Sequence, residues 1–523
     1  MIPVDHLVVV PIVLPLAAGA VTLVVDERRL AAKAAVSVAL AFALVAAAVA
    51  LLVLVDAGGT RVYRVGDWPA PFAIVLVADR LAAAMVLLAS LLGVACLVFA
   101  LARWQREGPR FHALVHFLLM GVNGAFLTGD LFNLFVFFEV LLAASYGLAL
   151  HGSGALRVRA GLHYVVINLA ASLLFLIGAS LVYGAAGTLN LADLAARFAG
   201  AGPAERVLVE IAAAIVGIAF LTKAAMWPLC FWLPGTYAAA SAPAAALFAI
   251  LSKVGVYVVL RIWLLLFGAD ASASSGFGAS WLTAGGMATI AFGTVGVLAA
   301  QHLPRLAAYS VLVSSGTVLA VIAQPDPSVL GAALYYLVAS TLALAALFLL
   351  VELVERGRMP GADLLAVTAE AFAANAGTAE ADDEPGVAIP ATMALLGVSF
   401  VLCALMLAGL PPLAGFVGKF ALLAALVKPT PVPGSAFAML ALLLLSGLAA
   451  IVGMGRAGIR RFWASPDVAV PRVRVIELAP VAVLLALCAA MTIAAGPVMR
   501  YLDAAAEALH APHRYIDDVL TSR

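Results

Sequence analysis

Phe220-Leu-Thr-Lys223-Ala-Ala-Met-Trp227-Pro228-Leu-Cys-Phe-Trp232-Leu-Pro234 decides the reading of this chain. It sets a lysine inside an apolar segment and a proline five residues later. Positions 211–222 run up to Lys223 without a charge. A transmembrane helix needs about 20 apolar residues, which puts Lys223 well inside a bilayer. An intramembrane charge costs at least about 2.5–3.5 kcal/mol on insertion scales and marks a functional site. Pro228 has no N–H, so the carbonyl of Ala224 loses its helical partner. Broken backbone at membrane depth is tolerated only where protein or a water-filled cavity covers it. A lysine beside such a break points to a hydrated ion path, and the competing reading is a snorkelling or structural lysine.

The composition agrees. The chain has 523 residues, 65% hydrophobic and 11% charged, with a mean hydropathy of +1.14. A soluble domain of this size is excluded, and a polytopic, all-α membrane protein is expected. The net charge of +1 gives no reason to expect a nucleic-acid partner. Cys96, Cys230, Cys403 and Cys488 are scattered, so neither a disulfide frame nor a metal site is expected. The start, Met1-Ile-Pro-Val-Asp-His6, lacks the basic region of a cleaved signal, and the first helix is expected to stay as an anchor.

Hydropathy gives about 14 spans, centred on 7–25, 34–55, 79–101, 112–128, 131–150, 161–184, 207–228, 241–263, 281–300, 306–323, 329–352, 391–427, 436–454 and 475–497. The twelfth is too long for one straight helix and holds Leu410-Pro411-Pro412, so it is expected to be broken. Arg28, Arg29 and Lys33 follow span 1; Arg103, Arg106 and Arg110 follow span 3; Arg157 and Arg159 follow span 5. Arg356 and Arg358 follow span 11, and Arg456, Arg460, Arg461, Arg472 and Arg474 follow span 13. These odd-numbered exits are cytoplasmic by the positive-inside rule, so both termini face outside. Residues 56–78 suit a short external β-hairpin, and 187–204 a short surface helix. The acidic stretch 361–388 suits a cytoplasmic loop. The tail 499–523 is helix-compatible, external, and free to dock on a partner.

Four charged residues fall near span centres: Glu139, Lys223, Lys253 and Lys419. Glu139 lies about 12 Å into its helix at 1.5 Å per residue. Desolvation disfavours the charged form of each group, and a nearby opposite charge favours it. One acid and three bases therefore suit a proton relay. If Glu139 pairs with Lys223, separating the two expels a proton from the lysine. The alternative is a set of helix–helix ion pairs. Pro411 and Pro412 free the carbonyls of Leu407 and Ala408, which could hold water beside Lys419. His116 and His163 read as interfacial or hydrogen-bonded residues, His302 as a weaker candidate for proton uptake, and Asp79 as a helix cap. No nucleotide, haem or zinc motif appears, so no cofactor is expected.

Lys223 in a broken span 7 and Lys419 in a broken span 12 suggest two inverted five-helix repeats, spans 4–8 and 9–13. The expected division is 1–111 for spans 1–3 with the hairpin, 112–263 for the first repeat, 264–463 for the second with a cytoplasmic loop at 353–390, and 464–523 for the last span and tail.

Several motifs then carry a resemblance over almost the whole chain: Gly66-Asp-Trp68-Pro, Asp79-Arg-Leu, Phe137-Phe138-Glu139, Lys223-Ala-Ala-Met-Trp-Pro228 and Leu410-Pro-Pro-Leu-Ala-Gly415-Phe. The chain resembles the proton-translocating, antiporter-like family shared by respiratory complex I, membrane-bound hydrogenases and multisubunit Mrp cation/proton antiporters. The run from Asn123 to Tyr146 and the closing Tyr515-Ile-Asp-Asp-Val-Leu are most similar to D subunits of the Mrp branch. The resemblance implies that Glu139, Lys223, Lys253 and Lys419 match the family's channel glutamate and three lysines. Complex I relatives often carry a histidine after the Ala-Tyr-Ser of span 10; here Ala308-Tyr-Ser-Val-Leu-Val-Ser314-Ser has serines. The implied function is a non-enzymatic subunit of a Na+/proton antiporter in a bacterial cytoplasmic membrane, with other membrane subunits, protons, Na+ and lipid as partners. The alternative is a proton-pumping subunit, without redox centres of its own, of complex I or a membrane hydrogenase.

Overall fold

The computed structural model describes residues 4–269, 272–356, 391–462 and 472–521. The acidic stretch 361–388 lies outside the described residues. Nineteen α-helices and one two-stranded hairpin make up the described chain. Among the described residues ten helices are long and apolar enough to cross a membrane, and four shorter apolar ones accompany them.

The first three spanning helices are α1 (Val10–Val24), α2 (Leu30–Gly58) and α3 (Arg80–Ala100). Between the last two, Arg61–Arg64 pairs antiparallel with Val75–Ala78, the hairpin expected from the alternating 56–78 segment. Asp79 caps α3 by accepting from Ala82 N–H at 2.8 Å, as its position predicted. Then come α4 (Phe111–Leu127), α5 (Leu131–Leu150), α6 (Ala155–Ala186) and the short surface helix α7 (Leu191–Ala199), capped by Asn190. The broken span consists of α8 (Pro203–Lys223) and α9 (Trp232–Ala239), followed by α10 (Ala242–Phe267). Its first half ends at Lys223, earlier than the hydropathy limit of 228.

The second half of the chain also holds a broken pair of helices. It runs α11 (Ala279–Ala299), α12 (Leu303–Leu319), α13 (Pro327–Glu355), the broken pair α14 (Ala391–Ala408) and α15 (Ala414–Leu426), and α16 (Gly434–Phe462). The chain closes with α17 (Val475–Ile493), α18 (Ala495–Leu509) and α19 (Pro512–Thr521). Packing details recur between the halves. Gly121 and Gly124 of α4 sit against Leu141 and Phe137 of α5, as Gly293 and Gly296 of α11 sit against Val313 and Tyr309 of α12. Small residues let membrane helices approach closely, and here the same i, i+3 pair serves twice.

α10 and α13 are buried by protein on most sides, whereas α2, α6, α11 and α14 expose Phe42, Ile177, Val295 and Val398. Those side chains form an exposed apolar surface around the bundle. The odd-numbered exits gather on one face. There Trp104 Nε1 donates to Glu352 at 2.7 Å, Arg356 pairs with Glu477 at 2.6 Å, and Arg474 donates to the carbonyl of Ala102 at 3.3 Å. The opposite face carries the hairpin, α7 and the tail, joined where Gly129 N–H donates to Val75 and Leu191 N–H to Gly129. The tail, expected to be helical and able to dock on a partner, is helical and packs on this chain. Leu502, Ala505 and Leu509 are buried, Val519 joins the cluster of Val75, Val77 and Ala192, and the His510 ring meets the carbonyl of Gln324.

Candidate functional site

The site starts at the first break. α8 ends at Lys223, Ala224 caps it, and Ala225 then takes a left-handed conformation (φ +56°) that turns the chain out of the helix. The freed backbone finds partners in the protein: Trp227 N–H donates to Thr289 Oγ1 at 2.8 Å, and Trp232 Nε1 to the carbonyl of Thr222 at 3.1 Å. This is the coverage that broken backbone in a membrane requires. Gly255 of α10 lies against the break, where an added Cβ would come within 2.6 Å of Ala224 N. Only glycine lets α10, two residues after Lys253, approach so closely.

Lys223 is 4% exposed. Its Nζ donates to Ser172 Oγ on α6 at 3.0 Å and stands 5.1 Å from the centre of the Phe138 ring. Glu139, the next residue on α5, is half-buried, and its Oε1 has no hydrogen-bond partner among the described residues. It lies within electrostatic range of Lys223 but forms no ion pair with it among the described residues. The direct Glu139–Lys223 pair considered from the sequence is therefore corrected. Lys223 is held by a hydroxyl and an aromatic face, and the carboxylate acts on it from a distance.

Lys253 is fully buried, and its Nζ donates to Ser315 Oγ of α12 at 2.8 Å. Ser315 lies 3.4 Å from Ser252 Oγ. Its neighbour Ser314 bonds Ser340 of α13 at 2.7 Å. Thr317, further along α12, meets the Tyr336 hydroxyl of α13. The serines that stand in place of a span-10 histidine thus supply the partner of Lys253 and the link to α13.

Lys419 is 6% exposed and lies in α15. Its Nζ donates to the carbonyls of Leu407 at 2.8 Å and Ala408 at 3.1 Å. Pro411 and Pro412 free those two carbonyls, as the sequence implied, but the lysine itself takes the place expected for water. Gly418 brings α15 onto Tyr336, where a Cβ would meet Tyr336 Cα at 3.0 Å. Gly447 of α16 faces this second break as Gly255 faces the first, with a Cβ 2.6 Å from the carbonyl oxygen of Ala408.

Glu139, the three lysines and the hydroxyls that meet them are thus carried by α5, α6, α8, α10, α12, α13 and α15. Pro228 lies in the first break and Pro411 and Pro412 in the second. His302 is exposed at the start of α12, and nothing brings it to the buried lysines. His163 is exposed on α6 beside Phe231. Sequence reasoning missed Ser172, Ser252 and Ser315. It also missed a cavity of about 310 Å³ on the face that gathers the odd exits, lined by Trp104, Arg157, Tyr237, Ser241, Glu352 and Arg356 among others. Tyr237, at this cavity, donates its hydroxyl hydrogen to the carbonyl of Phe248 at 2.8 Å, one turn before Ser252 on α10.

Two broken spanning helices beside three buried lysines and one half-buried carboxylate define a polytopic membrane protein with ionisable groups in its interior. The chain belongs to the NADH:quinone oxidoreductase/Mrp antiporter transmembrane family, whose model matches residues 128–446. It is 55% identical to the D subunit of a probable K(+)/H(+) antiporter from Rhizobium meliloti strain 1021, over 99% of this chain and 98% of the relative. It is 34% identical to the D subunit of the Na(+)/H(+) antiporter from Bacillus subtilis strain 168, over 99% of each. In structure it is similar to a chain of the Mrp complex from Dietzia sp. DQ12-45-1b, with a TM-score of 0.82 and 28% identity over 99% of this chain and 100% of that one. A chain of respiratory complex I from Thermus thermophilus shares the fold, with a TM-score of 0.77 and 24% identity over 97% and 99% of the two chains.

Proposed function

We propose that this chain is the proton-carrying subunit of a multisubunit monovalent-cation/proton antiporter, and that protons pass along Glu139, Lys223, Lys253 and Lys419. One observation carries the reading. Each of the three lysines is buried and, among the described residues, bonded only to neutral oxygens: a serine hydroxyl, a serine hydroxyl, and a pair of carbonyls. A carboxylate in contact would fix the charge on a buried lysine, because breaking such a pair strands an uncompensated charge. Neutral partners leave the charge free to change. The hydroxyls and the Lys223–Glu139 field give the proton acceptors at intervals and a means of biasing the lysine.

The relatives named above favour the antiporter reading over a pumping subunit of complex I or a hydrogenase. Their names give both K(+) and Na(+), so the cation exchanged is one of these. The recurring glycine contacts support two inverted five-helix repeats, 112–263 and 264–463, flanked by 1–111 and 464–523. Fourteen spans would then place both termini on the face opposite the arginine-rich exits. With those exits cytoplasmic, the termini lie outside a bacterial cytoplasmic membrane, and the lipid-facing helices meet its acyl chains. The cavity at Tyr237 and Glu352 then opens to the cytoplasm, in place of the access suggested for His302. Other membrane subunits complete the antiporter.

The test is antiport by everted vesicles carrying the whole complex with Glu139→Ala. Loss of both Na+- and K+-driven proton movement, with the complex assembled on a native gel, is expected. Parental antiport by the assembled variant would leave the chain a scaffold.

A further inference from the structure

A second polar file lies between α1, α2 and α4, apart from the lysine path. Ser37 of α2 joins two histidines of α4: its Oγ is 3.0 Å from His112 Nδ1 and 2.9 Å from His116 Nε2. His112 Nε2 reaches Gln105 Oε1 at 3.1 Å, and Gln105 Nε2 donates to the carbonyl of Leu101 at 2.8 Å. His112, His116 and Ser37 are all at most 2% exposed.

The donors and acceptors in this file can be assigned in order. The Leu101 carbonyl can only accept, so the Gln105 amino group faces it and the Gln105 oxygen faces His112. His112 Nε2 must then carry its hydrogen, and in the neutral ring Nδ1 is the acceptor. Ser37 therefore donates its one hydrogen to His112, and its oxygen accepts from His116 Nε2–H. That leaves His116 Nδ1 a bare lone pair. It is buried and has no hydrogen-bond partner among the described residues. Asn123, two turns on along the same flank of α4, behaves alike. Pro15 strips the Pro11 carbonyl of its helical partner, and Asn123 Nδ2 donates to that carbonyl at 2.9 Å. Asn123 Oδ1 is left as a second buried acceptor without a partner among the described residues.

The charged groups around the file are few. Lys33, one turn before Ser37, is bound to Glu27 at 2.7 Å, and Arg110 N–H also meets Glu27. No charged side chain lies within α1, and the charged residue within α3, Arg80, pairs with Asp56 on the opposite face. Glu139 and Lys253 belong to α5 and α10, which pack on other flanks of α4.

We propose that His116, Ser37 and His112 form a second proton site, loaded and unloaded at His116 Nδ1, with the charge held on His112 beside Gln105. A proton binding at Nδ1 makes that N–H bond. The His116 Nε2 proton passes to Ser37 Oγ, and the hydroxyl proton of Ser37 passes to His112 Nδ1. The positive charge ends on His112, near the Lys33–Glu27 ion pair, whose carboxylate side is half-exposed. No electron moves, and the same shifts in reverse unload the site. The polarity matters: with Nε2 of His112 already carrying hydrogen, the file accepts a proton only at its inner end.

The file can be examined by 15N NMR of histidine-labelled whole complex in lipid, with signals assigned by their loss in His112→Gln and His116→Gln. Both rings are expected in the Nε2–H form at alkaline pH, and Ser37→Ala should displace both sets of signals. An Nδ1–H form on either ring would overturn the assignment. In vesicles, Ser37→Ala should shift the pH of half-maximal antiport at unchanged yield of complex; a parental pH profile would overturn the proposal. Lys253→Gln separates the two readings, because it should abolish antiport while leaving the His112 and His116 signals in place.

Discussion

Replacing Lys419 by glutamine separates the chemistry of the second break from its architecture. The ammonium holds the carbonyls of Leu407 and Ala408, which Pro411 and Pro412 have left without helical partners. Lys419→Ala strands both carbonyls, at about 1–3 kcal/mol each for a buried unsatisfied group. The sum, about 2–6 kcal/mol, is a large share of a typical stability of about 5–15 kcal/mol, so that variant can fail for structural reasons. Lys419→Gln keeps two N–H donors on a side chain one bond shorter and carries no titratable group. It should preserve the complex at close to parental yield and reduce antiport to background. Lys419→Glu turns an anion towards two carbonyl oxygens, so only its protonated form fits. The assay is antiport in everted vesicles, followed by a pH-sensitive dye, with assembly read from a native gel. Parental antiport by Lys419→Gln would refute a proton-carrying role for this lysine.

Ser315→Ala removes a hydrogen bond to a charged donor, worth about 1.5–3 kcal/mol, and should slow antiport about tenfold or more; vesicle rates at constant complex yield check it. Glu139→Asp should keep part of the activity that Glu139→Ala loses, because Glu139 acts on Lys223 through space; equal loss in both variants would point to a contact role. Tyr237→Phe should slow uptake from the cavity at Glu352 while leaving antiport measurable, and a parental rate would place the access route elsewhere. For orientation, Ser153→Cys should react with an impermeant thiol reagent only in everted vesicles and Asp517→Cys only in intact cells, and the reverse pattern would invert the topology.

The helices were legible in the sequence because hydropathy needs only local composition, and the hairpin and the Asp79 cap because each has a local signature. The four charged residues were legible because a charge in an apolar run stands out. Their partners were not. Lys223 meets Ser172, 51 residues away, and Lys253 meets Ser315, 62 residues away. A serine in a spanning helix usually bonds its own backbone, as Ser90 and Ser310 do here, so nothing local distinguishes one that faces a lysine. Ser315 shows in the sequence only as the absence of a histidine. The carbonyls of Leu407 and Ala408 were correctly read as freed, but the fold-back of α15, which seats Lys419 on them, depends on the left-handed turn at Gly409 (φ +75°). The seat of the tail was not legible because its amphipathic residues show a face to bury, not what buries it.

The central claim is that the neutral-partnered lysines carry the protons. It is tested most directly by purified whole complex in liposomes, with proton movement recorded on imposing Na+ or K+ gradients. Lys253→Gln can still donate to Ser315, so the complex should assemble and purify like the parent. Cation-driven proton movement by that variant should fall to the level of protein-free liposomes; movement at the parental rate would contradict the account.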